Sequence, residues 1–188
     1  MLVTAASHED AAAVRSVADC RERIELADGR HVIVCPVDPA DARAEQVFVA
    51  DGLSPASRYR RFHFGLRQLP DELVRQMTEI DQWQHVALVA RPAGDPHGAI
   101  VADARYVRSD AAAEAEFAIA VADAWQRVGL ARELLLRLAR HARAAGVRHL
   151  YGDVLWGNQP MIALARALGG ALERHPGDAT LLRVVFAA

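Results

Sequence analysis

The chain has 188 residues, 52% hydrophobic and 24% charged, with a formal net charge of −2. That suits one soluble domain with a buried core and gives no electrostatic case for nucleic acid or an anionic membrane as a partner. No apolar run has the length of a membrane span, and the first segment carries Glu9, Asp10 and Asp19 instead of a signal peptide, so a cytoplasmic location is expected.

Residues 1–22 read as an Ala-rich arm or weak helix and residues 23–188 as a single domain. Arg23 to Val37 alternates apolar and polar residues around Asp28-Gly29, a hairpin signal. Asp38-Pro39 opens a helix with Ala44, Val47 and Phe48 as its apolar residues, Ser54-Pro55 marks a second start, and Pro70-Asp71-Glu72 begins a helix with Leu73, Val74 and Met77 on one side. Strands follow at His85 to Arg91, Ala99 to Arg108 and Ala115 to Asp123. From Gly129 to Ala145, Leu130, Leu134, Leu135, Leu138 and Ala142 share one helical face. A strand over His149 to Trp156, a short helix opened by Asn158, and an antiparallel pair at Ala171 to Arg174 and Thr180 to Phe186 complete the chain. The order counted this way is strand, two helices, three strands, helix, strand, helix and two strands, a mixed α/β domain.

The junction Gln126-Arg127-Val128-Gly129-Leu130-Ala131-Arg132 joins a strand to a helix start. The first N–H groups of a helix have no partner inside it and its dipole favours negative charge, so such a junction is a candidate anion site. Gly129, without a Cβ, lets a bulky phosphate approach the backbone, and Arg127 and Arg132 flank it. The spacing is Q-x-x-G-x-A, and with it the chain resembles the Gcn5-related N-acetyltransferases (GNAT). The stretches LSPASRYRRF (Leu53 to Phe62), Ala104 to Tyr106, Ala115 to Phe117, Trp125-Gln126, and Met161 after Asn158 are most similar to the bacterial protein lysine acetyltransferases of the Pat type.

The resemblance implies a central, twisted, mostly antiparallel sheet with helices on both faces, and acetyl-CoA as co-substrate. It puts cofactor-binding backbone on Ile119, Ala120 and Val121 and on Gln126, Arg127, Val128, Gly129, Leu130, Ala131 and Arg132. Asn158 is a good N-cap, and in relatives the matching residue lies near the cofactor. Glu116 is the candidate general base. An amine with a pKa of about 10.4 is mostly protonated near neutral pH and must lose a proton to react; Ala115, Phe117, Ala118 and Ile119 are its apolar sequence neighbours, with Glu114 as a rival. Many relatives carry a tyrosine acid on the last helix, where this chain has Ala165.

Arg58, Arg60 and Arg61 lie where relatives bind the acceptor, and are read either as an attraction for an acidic protein surface or as a solvated turn. The eight histidines show no ligand spacing with Cys20 and Cys35, so no metal is expected, and the cysteines read as reduced thiols. The resulting expectation is an acetyl-CoA-dependent N-acetyltransferase, monomer or homodimer, acting on a protein lysine. A small-molecule amine acetyltransferase, a non-catalytic acyl-CoA sensor or interaction module, and a binder of another phosphate ligand are the alternatives.

Overall fold

The computed structural model describes residues 21–188 except 64, 66, 96 and 110–112. Residues 1–20 of the expected arm lie outside the described residues, and Glu22 already belongs to the first strand. Strands β1 (Glu22–Glu25) and β2 (His31–Pro36) form the hairpin signalled by Asp28-Gly29. A 3₁₀ turn at Pro39–Asp41, closed by a capping box between Asp38 and Asp41, leads into α1 (Ala42–Val47). A π turn at Phe48–Gly52 follows, then α2 (Pro55–Phe62), where Ser54 accepts the Ser57 N–H, and α3 (Asp71–Thr78). Next come β3 (His85–Pro92), β4 (Ala102–Arg108), β5 (Glu114–Val121), α4 (Leu130–Ala144), β6 (His149–Leu155), α5 (Gln159–Ala167), β7 (Ala171–Arg174) and β8 (Leu181–Ala187).

The N-terminal part thus contains two strands and three helices, one more of each than the order counted from sequence: the Asp28-Gly29 hairpin supplies two strands, and Ser54 and the π turn divide a stretch of near-continuous helical pattern. A second difference lies on α1. Val47 is 47% exposed, while Glu45 is fully buried beneath the helix, over Asp103 and Arg105 of β4. The polar floor under α1 supplies what a carboxyl group needs to be buried there, which an apolar pattern alone does not signal.

The eight strands form one sheet in the order β1-β2-β3-β4-β5-β6-β8-β7. Every pairing is antiparallel except β5 with β6. Alternation assigns the faces. Ala104, Tyr106, Ala115, Phe117, Leu150 and Phe186 share the face covered by α4 and α5, and the buried leucines Leu130, Leu134, Leu135 and Leu138 pack there. Tyr106 Oη lies 2.7 Å from His141 Nδ1 of α4. The opposite face carries Asp103, Arg105 and Glu116 under α1–α3. On β6 and β8 this face presents Tyr151, Asp153 and Arg183, half-buried side chains. Among the described residues no helix is long and apolar enough to cross a membrane.

Candidate active site

The parallel pairing of β5 with β6 covers only Glu114 to Glu116 against His149 to Tyr151. β5 remains paired with β4 as far as Val121, so from Phe117 onward its other edge is free and the sheet forks. Gly152 stands at the fork: a Cβ there would come within 2.9 Å of the Phe117 ring and 3.0 Å of its carbonyl oxygen. Phe117 fills the apex and packs on Phe186, with ring centroids 5.3 Å apart. The fork opens into a cleft of about 830 Å³ bounded by β5, the start of α4 and the first turns of α5.

The loop from Asp123 to Gly129 closes one end of the cleft. Arg127 (φ 63°) and Gly129 (φ 88°) both adopt left-handed backbone, a conformation that suits Gly129 and costs Arg127 about 1 kcal/mol or more. Gly129 makes no side-chain cap, and the first ladder bond of α4 runs from the Glu133 N–H to the Gly129 carbonyl. The amides of Leu130, Ala131 and Arg132 therefore have no partner within the helix, and all three residues line the cleft. The Gln126 side chain pins the loop, donating to the Val121 carbonyl at 3.0 Å and to Ser57 Oγ and Asp123 Oδ1 at 3.2 Å each.

A brace absent from the sequence reading comes from the first hairpin. The Ala27 N–H donates to the Val128 carbonyl at 3.2 Å. Arg30 donates to the Ala124 carbonyl at 3.1 Å and lies 4.0 Å from the Trp125 ring centroid. The signal was an Arg directly after Asp-Gly in a hairpin, which sequence alone does not connect to residues about 100 positions away.

A second cavity, about 770 Å³, lies between β4, β5, α3 and the end of α2. Arg61, Phe62, Glu116, Phe117 and Ala118 line both cavities. Its floor is a buried charge cluster. Arg105 binds Asp103 through two hydrogen bonds, donates to the Met77 carbonyl at 3.0 Å, and places Nη1 3.3 Å from His85 Nε2. Burial raises a carboxyl pKa, but the Arg105 guanidinium and its hydrogen bonds outweigh this at Asp103 and hold it below the usual range. Glu45, 3.6 Å from Arg105, is pushed well above the usual range by burial and by the charge on Asp103. It is therefore the neutral member of the pair, kept as an acid beside an ionised neighbour. Burial, reinforced by Arg105, depresses His85 to about 4, so near neutral pH its ring is uncharged and Nε2 can accept from Arg105.

The candidate residues distribute as follows. Ile119, Ala120, Val121, Gln126, Arg127, Gly129, Leu130, Ala131, Arg132 and Asn158 line the cleft together with Glu116. Val128 does not; it packs against the core and its carbonyl is held by Ala27. Asn158 caps α5 by accepting the Met161 N–H at 3.4 Å. Glu116 is exposed where the two cavities meet, and the apolar neighbours Ala115 and Phe117 point through the sheet to the other face. Glu114, the rival, lines neither cavity.

The three arginines of α2 separate. Arg58 is buried and donates to the carbonyls of Val49, Ala50 and Leu53, so its role is structural. Arg60 lines the first cleft, and Arg61 lines both cavities. Ala165 is fully buried and turned into the core; Pro160, Met161, Ala163 and Leu164 are what α5 presents to the cleft, none of them ionisable. Cys35 is free and buried.

The acetyltransferase (GNAT) family model matches residues 56–169. An acetyltransferase of Pseudomonas aeruginosa is 34% identical over 155 residues, covering 82% of this chain and 83% of that protein. Among solved structures, the GNAT domain of S. lividans PAT superposes with a TM-score of 0.82 at 30% identity, covering 89% of this chain and 97% of that one. A cAMP-binding acyltransferase from Mycobacterium smegmatis shares the fold at a TM-score of 0.62 and 24% identity; the match covers 93% of this chain and 51% of that one. A protein from Salmonella typhimurium solved with its cofactor acetyl-CoA shares the fold at a TM-score of 0.61 and 18% identity, covering 83% of this chain and 93% of that one.

Proposed function

The chain belongs to the acetyltransferase (GNAT) family, and from that premise we propose that it transfers acetyl from acetyl-CoA to a primary amine, a lysine of another protein. The observation that carries this reading is the position of Glu116, a carboxylate at the meeting point of a cleft with an anion-binding end and a second pocket. The residues fit the co-substrate: the uncapped amides of Leu130, Ala131 and Arg132 and the left-handed backbone at Arg127 and Gly129 suit a diphosphate. The free edge of β5 at Ile119–Val121 offers strand-type hydrogen bonds to an amide-bearing arm.

Acetyl-CoA supplies the thioester, its acyl carbon and its thiolate leaving group. Glu116 accepts a proton from the acceptor ammonium, directly or through one water, and the freed amine nitrogen bonds to the acyl carbon as the C–S bond breaks. Backbone N–H groups on the free edge of β5 are the candidate donors to the developing oxyanion. No ionisable side chain of α5 faces the cleft, so solvent protonates the leaving sulfur. A lysine acceptor on a protein suits the exposure of Glu116 and the half-buried strand surface beside it at Tyr151, Asp153 and Arg183.

Calorimetric titration with acetyl-CoA tests the cofactor half; micromolar affinity supports it, and no binding at millimolar concentration overturns it. An adenine nucleotide competing as well as CoA would point instead to another phosphate ligand. Glu116→Gln tests the chemical half. Turnover should fall by about 10²–10⁴-fold with acetyl-CoA affinity retained, whereas a non-catalytic acyl-CoA sensor has no turnover to lose.

A further inference from the structure

Arg61 stands on the last turn of α2, at the wall common to both cavities, with its guanidinium 4.8 Å from the Phe62 ring centroid. Among the described residues it makes no hydrogen bond and no ion pair. Two other guanidinium groups near this site are committed, Arg105 to Asp103, the Met77 carbonyl and His85, and Arg58 to three carbonyls, while Arg60 is exposed and lines only the first cleft. The anions within range do not neutralise it. Asp103 is held by Arg105, Glu45 is a neutral acid, and Glu116 is not paired with it. On the pocket's outer side, Asp81 accepts the amides of Trp83, Gln84 and His85, Glu79 stands exposed, and His85 is uncharged.

An uncommitted guanidinium opposite a candidate base gives the acceptor pocket two poles. An acceptor carrying only an ammonium meets a like charge as it approaches Glu116. An acceptor that also carries a carboxylate can place the ammonium on Glu116 and the carboxylate on the planar fork of Arg61, a bidentate match that a lysine in that position would not supply. Resting on the acetyltransferase reading above, we propose that Arg61 selects acceptors by charge: the amine delivered to Glu116 bears an anionic group within reach of the Arg61 guanidinium. An acidic residue beside a protein lysine and the acceptor's own carboxylate are the two sources of that anion.

Initial rates of the full chain with saturating acetyl-CoA test this in two arms. One arm compares lysine peptides with Glu or Gln at the neighbouring positions; the other compares free amino acids with their carboxamides. The anionic member of a pair should have a kcat/KM higher by about 10- to 100-fold, the range expected for a charge-assisted hydrogen-bonded pair. The arm showing it identifies the source. Arg61→Gln should bring that ratio near one, and Arg61→Lys should retain part of it. A wild-type ratio near one in both arms overturns the proposal without any variant, as does a ratio that survives Arg61→Gln. Transfer indifferent to acceptor charge would sink the proposal alone, whereas no transfer to any amine would remove the acetyltransfer reading along with it.

Discussion

The two cavities that meet at Glu116 are built by different means. The cleft proposed for the cofactor is made of backbone: a strand edge freed by the fork, helix amides without a cap, and two left-handed residues. The pocket proposed for the acceptor is made of side chains, with Arg61 from α2, His85 from β3 and Arg105 from β4 lining it and Asp103 and Glu45 buried beside Arg105. A backbone site tolerates changes in the side chains that border it. A side-chain site depends on each charge having its partner, so single substitutions there act on stability and on selectivity together.

That contrast can be broken most forcefully at the charge cluster. Asp103→Ala leaves the buried Arg105 with only the more distant Glu45 as a carboxylate partner, and should cost about 3 kcal/mol in urea denaturation. Glu45→Gln, which replaces an already neutral acid, should cost about 1 kcal/mol or less. Equal losses would show that Glu45 is ionised in the folded protein.

The next effect is on pH dependence. His85 titrates near 6.5 when unfolded but at about 4 when folded. Between these values the unfolded chain holds a proton that the folded one does not, so stability falls as pH drops through this window. The slope from this one group approaches 1.4 kcal/mol per pH unit, the most a single proton gives, or about that. Denaturation midpoints of wild type and His85→Gln should converge toward pH 4, and parallel profiles would remove His85 from the account.

The smallest expected effect lies on the backbone side. Arg30→Ala removes a hydrogen bond to Ala124 and the stacking on Trp125, so acetyl-CoA affinity should weaken by about 1 kcal/mol, read by calorimetry. A change in affinity without a comparable change in global stability would locate the effect in the loop.

The same contrast explains what could be read from sequence. One end of the first cleft is a contiguous segment, so Gln126 to Arg132 declared a strand-to-helix junction, and nearly every element from β3 onward follows the alternation or helical spacing of its own residues. Val128 escaped because its carbonyl is taken by Ala27, a tertiary contact from the opposite end of the domain. Ala165 is fully buried and does not line the cleft, which counting along a helix does not by itself fix. The acceptor pocket was barely legible. Arg58, Arg60 and Arg61 look equivalent in sequence, and only packing makes the first a structural donor and leaves the last uncommitted. The burial of Glu45 has no local signal, since nothing near it in sequence marks the arginine that receives it on β4.

The outer limits of the sheet have a consequence for association. Among the described residues both edge strands, β1 and β7, are four residues long and carry Glu and Arg, Glu22-Arg23-Ile24-Glu25 at one side and Ala171-Leu172-Glu173-Arg174 at the other. Short, charged edges discourage strand addition from other molecules and hence edge-to-edge aggregation. The unpaired strand backbone at Phe117–Val121 is instead enclosed by the fork, where a slender extended chain can enter and a foreign sheet cannot. The fold thus keeps its capacity for strand-like pairing while directing it inward, away from its own copies.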